Sequence, residues 1–242
     1  MSVAVKRFVI LSSARSGTSL LKETLAVHPD ILTHGEIFHN KSEWHIHPQY
    51  LDAHDISYRY DDPVRFVKNI LATPLDHRIV GFKMWRQQSE AACKYVLGSS
   101  DIVKVILERP NRLAALSSNL LAEKTNIWNI RVTEGHIAPQ RSQTVPFNPY
   151  LFARYREEQD RLFESYRKEA RGPVINLTYP QVARLEIDEL VDALEISNYP
   201  FKHQMRKLYE SNIIDRFNVD DRQAILTELE RLGCAEWLQE RV

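Results

Sequence analysis

Short, unbroken apolar runs alternate along the chain with longer stretches in which apolar positions recur every three or four residues. Arg7–Leu11 (RFVIL), Arg78–Met84 (RIVGFKM), Ile102–Leu107 (IVKVIL) and Pro173–Leu177 (PVINL) are rich in valine and isoleucine, as strands buried on both faces are. Ile31–Thr33 is a candidate for a further short strand. Ser19–Val27 reads as a helix stopped before Pro29, because the residue preceding a proline is driven out of the helical region. Asp61-Asp62-Pro63 supplies an acidic cap and a first-turn proline to a helix whose Val64, Val67, Ile70 and Leu71 share one face. Pro110–Lys124 is a helix rich in leucine and alanine. Asn148-Pro149 repeats the cap-and-proline signal before a helix ending near Ala170, with Phe152, Tyr155, Leu162, Phe163 and Tyr166 as its buried stripe. Asp220–Leu232 is amphipathic and closed by Gly233. Lys124–Phe147 follows neither period, and loops of that length are often lids or binding segments. The alternation predicts a three-layer α/β fold: a central, mostly parallel sheet of about five strands flanked by helices.

Composition narrows the class. A chain of 242 residues, 43% hydrophobic and 26% charged, fits a single domain over 1–242 with a substantial core. Lysine plus arginine (32) equal aspartate plus glutamate (32), so no overall positive field favours nucleic acid or an anionic membrane. An anionic ligand must be held by locally placed charge. Cys93 and Cys234 form no C-x-x-C, which argues against a disulfide framework or structural zinc and fits a reducing compartment. The apolar run Phe8–Leu11 is too short for a signal sequence or a membrane span. The expected location is cytoplasmic.

Two segments carry chemistry. Ser12-Ser13-Ala14-Arg15-Ser16-Gly17-Thr18-Ser19 lies between a predicted strand and a predicted helix. A helix N-terminus offers unpaired N–H groups to an anion, Gly17 permits close backbone approach, and Arg15 adds a full charge. The loop is P-loop-like without being a Walker A sequence: it has no Lys-Ser/Thr pair to hold Mg²⁺. A capped turn that binds nothing is the plainer alternative. The second segment is Glu108-Arg109-Pro110, with Ser117 eight residues after Arg109. An arginine at the C-terminal end of a strand sits where open α/β sheets bind ligands, and Ser117 can lean back toward the same anion. Taken singly, Arg109 could pair with a carboxylate and Ser117 could bond within its own helix.

Together these features resemble the sulfotransferase superfamily. Ala14-Arg15-Ser16-Gly17-Thr18-Ser19-Leu20 is similar to its 5'-phosphosulfate loop, in the Arg-Ser-Gly form of bacterial and Golgi carbohydrate sulfotransferases. Arg109 with Ser117 resembles its 3'-phosphate motif. Gly35-Glu36-Ile37-Phe38 resembles an element of bacterial trehalose and nodulation-type sulfotransferases, and Lys124-Thr125-Asn126-Ile127-Trp128 the segment after their 3'-phosphate helix. The tail Ile213–Leu238 resembles their C-terminal helix, so the likeness runs from Val9 to Leu238. Lys124–Phe147 and the histidine-rich stretch before Tyr58 match no acceptor pattern of the family.

The resemblance implies transfer of a sulfuryl group from 3'-phosphoadenosine-5'-phosphosulfate (PAPS) to an acceptor hydroxyl, of a carbohydrate or glycolipid, leaving PAP. It assigns Arg15, Ser16, Gly17, Thr18 and Ser19 to the 5' end, Arg109 and Ser117 to the 3'-phosphate, and Tyr179 to the adenine. Glu36 is the expected base, with His34 and His39 as alternatives. Lys83 could reach the sulfate or the acceptor, or could be a surface lysine. The migrating group carries less negative charge than a γ-phosphate, so no metal is expected. Six of the nine histidines lie between His28 and His54, but their spacing matches no standard metal signature. Trp128 packs the loop or stacks on a sugar. The rival readings are a P-loop-like nucleotide kinase or NTPase, which would need Walker elements, and a non-catalytic nucleotide-binding protein.

Overall fold

The computed structural model describes residues 5–129, 143–196, 199–205 and 212–240. Strands β1 (Lys6–Leu11), β2 (Ile31–Glu36), β3 (Ile79–Met84), β4 (Val103–Glu108) and β5 (Val174–Thr178) form one sheet in the order β2-β3-β1-β4-β5. Every pairing is parallel, so the sheet expected to be mostly parallel is wholly so. The helices of the described residues are α1 (Thr18–Leu25), α2 (Pro48–Ala53), α3 (Pro63–Ala72), α4 (Glu90–Gly98), α5 (Arg112–Thr125), α6 (Pro149–Glu169), α7 (Tyr179–Ala183), α8 (Asp188–Ala193) and α9 (Arg222–Leu232). Parallel strands need crossover connections, and these place helices on both faces of the sheet.

The continuous apolar runs are explained by that two-sided burial. Val9 and Leu11 of β1 join Val80, Phe82 and Ile106 in a core completed by α3, α4 and α6. Phe8 and Ile10, the alternate residues, join Val105 and Leu107 against α1 and α8. A third cluster packs α5 on α9 through Leu113, Leu121, Phe217, Ile225 and Leu229.

Local signals fix several helix ends. The Asp62 side chain accepts from the Arg65 N–H, Asn148 accepts from Tyr150 and Leu151, and Gly233 closes α9 at φ +66°. Three expectations need correction. β2 runs to Glu36 rather than stopping at Thr33, because pairing with β3 carries it past a register shift. α5 begins at Arg112 rather than Pro110, because Asn111 is its cap, accepting from the Ala114 N–H. α4 was unforeseen, although Ser89 caps it and Ala92, Cys93, Val96 and Leu97 give it a buried face. The tail helix expected over Asp220–Leu232 is present as α9, closed by Gly233 and flanked by short 3-10 turns.

Within Lys124–Phe147, residues 130–142 lie outside the described residues. The segment's ends are tied down: Lys124 Nζ donates to the Thr144 carbonyl at 2.7 Å, and Val145 exchanges backbone bonds of 3.0 Å with Arg216 and Asn218. Cys93 and Cys234 are free thiols. Among the described residues no helix is long and apolar enough to cross a membrane, and no group of three or more His, Cys, Asp or Glu side chains is placed to hold a metal.

Candidate active site

The turn after β1 is built around two residues with positive φ, Arg15 (61°) and Gly17 (92°). A Cβ on Gly17 would lie 2.6 Å from Cδ2 of Tyr179, so both its backbone angle and its packing require glycine. Gly17 is the residue before α1, whose first turn therefore begins at Thr18. Ser12, Ser13, Ser16 and Thr18 are buried. The Ser13 and Ser16 hydroxyls are 3.0 Å apart, and Ser12 Oγ donates to the Leu107 carbonyl of β4. Tyr166 of α6 braces the turn from below: its hydroxyl donates to the Ser12 carbonyl at 3.1 Å and accepts from the Arg86 N–H at 3.0 Å. Arg15 reaches toward α5, where Nε donates to Ser118 Oγ at 2.9 Å, and Nη1 donates to the Trp128 carbonyl.

A second cluster lies where β2 and β3 end. Lys83 Nζ donates to Ser19 Oγ in the first turn of α1 at 2.9 Å and pairs with Glu36 Oε1 at 3.1 Å. Gln88 donates its Nε2 to Glu36 Oε2 at 2.8 Å. The Gln88 amide is oriented for this, because its Oε1 accepts from the Trp85 N–H at 3.1 Å. Lys83 and Glu36 side chains are only 7% and 9% exposed, so the surface-lysine alternative does not hold. Burial pushes the Lys83 ammonium below the usual lysine range; Glu36 opposes this, while Lys22 and Arg15 add to it. His45 holds the backbone of Glu36, its Nδ1 accepting from the Glu36 N–H at 3.2 Å.

The histidines considered as alternative bases each use Nδ1 to hold backbone. His34 is 1% exposed, its Nδ1 accepts from the His47 N–H at 3.1 Å, and burial lowers its pKa to about 3. His39 Nδ1 accepts from the Lys41 N–H at 3.1 Å, and its ring lies 4.4 Å from that of His45.

Arg109 follows β4 directly and is buried. Its Nε donates to Glu240 Oε1 at 2.7 Å, its Nη2 to Glu240 Oε2, and its Nη1 to the Arg15 carbonyl at 3.0 Å. The guanidinium lies 4.4 Å from the ring centre of Tyr179. Burial works against the charge on Arg109, and the bonds and charge of Glu240 more than offset it. Ser117 Oγ donates to the Ala114 carbonyl at 3.1 Å and accepts from Arg216 Nη1 at 3.3 Å. Both plainer roles weighed for this pair are thus present: a carboxylate partner for Arg109 and a bond within the helix for Ser117.

The fold brings Arg15, Ser19, Lys83 and Glu36 together at the C-terminal ends of β1, β2 and β3, with Arg109 and Tyr179 against the same turn. Ser117 bonds Ala114 and Arg216 instead, and it is its neighbour Ser118 that meets Arg15. Sequence reasoning does not reach Gln88, Arg216 or Glu240; it places Tyr166 only in the buried stripe of α6, and His45 only among the histidines between His28 and His54. For Gln88 a signal existed, since it lies just beyond the C-terminal end of a strand, where α/β sheets bind ligands. For Glu240 none existed. Trp128 is 42% exposed and joins the site through its carbonyl.

No protein-family model matches the chain, and no curated protein matches it. Among solved structures, a sulfotransferase from Alicyclobacillus acidocaldarius is similar with a TM-score of 0.45 at 16% sequence identity, over 95% of this chain and 96% of that one.

Proposed function

We propose that the protein is a single-domain, PAPS-dependent sulfotransferase acting on a hydroxyl of a carbohydrate or glycolipid. The observation that carries this reading is Lys83, whose ammonium bonds at once to Ser19 of the turn, at 2.9 Å, and to Glu36, at 3.1 Å. A cation between an anion-binding turn and a carboxylate suits a transfer in which negative charge grows on a phosphate while a proton is taken from an incoming hydroxyl. Lys83 and Arg15 also share one field, since each disfavours the other's charge.

In this mechanism the acceptor oxygen attacks sulfur as the bond from sulfur to the 5'-phosphate oxygen breaks. The bonding electron pair leaves on that oxygen, and PAP is released. Glu36 takes the acceptor's proton. Arg15, Lys83, the hydroxyls of Ser16, Thr18 and Ser19, and the turn's amides stabilise charge on the leaving phosphate, with Gly17 allowing close approach. Such preorganised donors are each worth on the order of 10²–10³ in rate. Positioning and charge stabilisation suffice for an in-line, dissociative displacement. Arg109 and Ser117 bind the 3'-phosphate, which separates PAPS from ATP, and Tyr179 contacts the adenine.

Thermal stability in the presence of PAP, AMP, ADP and ATP, with and without Mg²⁺, tests the donor site without an acceptor. A ligand at a hundred times its dissociation constant stabilises by about 2.7 kcal/mol, a shift of roughly 5–10 °C for a chain of this size. The expected result is a metal-independent shift selective for PAP. A shift only with ATP and Mg²⁺ would instead support the kinase reading.

A further inference from the structure

Arg109 and Glu240 are separated by 131 residues, yet they form a two-pronged ion pair with side chains only 7% and 3% exposed. The geometry is that of a guanidinium holding a carboxylate or phosphate through parallel N–H bonds. The Arg109 guanidinium also lies 4.4 Å from the ring centre of Tyr179, and its Nη1 holds the Arg15 carbonyl of the turn at 3.0 Å. Close by in the sequence, Ser117 Oγ takes a bond from Arg216 Nη1 at 3.3 Å. A monoester dianion offers such a fork the same pair of oxygens as a carboxylate, together with a second charge.

Glu240 is carried by a short strap. After α9 and Gly233 the chain makes a 3-10 turn at Ala235–Leu238 and then continues to Glu240. Its polar anchors are Asn111 Nδ2 to the Trp237 and Gln239 carbonyls at 2.9 and 3.3 Å, the Ile213 N–H to the Leu238 carbonyl at 2.9 Å, and Gln239 Nε2 to Asn212 Oδ1 at 3.1 Å. Trp237 and Leu238 pack on the third core cluster, with the Trp237 ring edge-on to Phe152. Asn111 is the cap of α5, so the strap crosses the start of the helix that carries Ser117.

We propose that Glu240 is an internal occupant of the 3'-phosphate subsite, and that the strap 235–240 must swing out for the donor to bind. This rests on the reading of Arg109 as the 3'-phosphate ligand. Breaking a buried ion pair is costly when one partner is left alone. Exchanging the carboxylate for a phosphate leaves Arg109 paired throughout, so the exchange is accessible to a dianion. A nucleotide with a free 3'-hydroxyl offers nothing to the fork and leaves Glu240 in place. The carboxylate therefore lowers the apparent affinity for the 3'-phosphorylated nucleotide by the fraction of chains with the strap out.

Calorimetric titration of PAP and AMP into the wild-type protein, Glu240→Gln and Glu240→Ala tests this. Both variants should bind PAP at least about tenfold more tightly than wild type, with AMP affinity changed by no more than about twofold. In parallel, hydrogen exchange on the wild-type protein should show PAP speeding exchange over 235–240 while slowing it over 12–19. The exchange measurement decides the matter if the variants fail to fold. Equal or weaker PAP binding by folded variants, or a strap protected by PAP, overturns the proposal and makes Glu240 an orienting partner of Arg109. If wild type binds PAP tightly in that case, the function reading survives alone. If no form binds PAP, the 3'-phosphate reading falls and the proposal with it.

Discussion

Glu36 stands opposite Lys83 in the β2–β3 pairing only because β2 carries one extra residue. Thr33 faces Gly81 and Glu36 faces Lys83, so three steps along β2 match two along β3. Without that bulge Gly35 would oppose Lys83, and Glu36 would oppose Met84, whose side chain belongs to the core on the other face. A one-residue slip in register turns side chains to the opposite face, and bulges are used to re-aim a side chain in this way. Gly35 fits the bulge because a Cβ there would lie 2.7 Å from His45 Nδ1.

The ion pair so created should behave as a unit. Lys83→Met leaves the Glu36 carboxylate buried without its counter-charge and should cost about 3 kcal/mol of stability. The double variant Lys83→Met with Glu36→Gln should recover part of that loss, which urea unfolding of the four proteins measures. Glu36→Gln alone should leave PAP binding intact while slowing transfer by about 10²-fold or more, read in single-turnover assays with PAPS.

Arg109→Ala should weaken PAP binding far more than AMP binding, because only PAP offers a group to the guanidinium fork. Arg109→Lys should restore little, since one ammonium cannot reproduce two parallel bonds. Calorimetry with the two nucleotides decides it; equal losses would remove Arg109 from the 3'-phosphate subsite.

Gly17→Ala should destabilise the protein by about 1–3 kcal/mol and abolish binding at the turn. The added methyl meets the Tyr179 ring at 2.6 Å and the backbone sits at φ +92°. Tyr179→Ala in the same chain relieves the contact and leaves the angle, so thermal unfolding of the double variant should regain only part of the stability.

What the sequence declares is mostly local. Asp62, Asn148 and Gly233 act within a few residues of themselves, and their caps were legible for that reason. The sequence shows β2 only to Thr33 because Gly35 and Glu36 have weak strand preference, and only the partner strand holds the segment extended. The turn Ser12–Ser19 was readable from its residue types. Its bracing by Tyr166, its contact with Tyr179 and its link through Lys83 to Glu36 were not, since each joins residues more than 60 positions apart or depends on a bulge. The Glu240 partner of Arg109 leaves no local trace at all.

Acid should unfold the protein partly through His34. Its Nδ1 accepts from the His47 N–H, so Nε2 carries the proton of the neutral ring, and protonating Nδ1 would break that bond inside the core. Burial is the main reason its pKa falls from 6.5 to about 3, with His47, Lys22 and His77 adding to the effect. His45, lowered to about 4 chiefly by burial, would likewise lose its bond from the Glu36 N–H. Between pH 6.5 and these values the unfolded chain binds protons that the folded chain does not. Stability therefore falls as the pH drops through this window and is unaffected by these groups above it. Each contributes a slope of at most about 1.4 kcal/mol per pH unit. His34→Asn keeps an acceptor near the His47 N–H and removes the titration. Urea unfolding at pH 7.5, 6 and 5 should give a shallower decline for His34→Asn than for wild type, with the two converging in slope above pH 6.5. Parallel declines throughout would mean that His34 keeps an ordinary pKa.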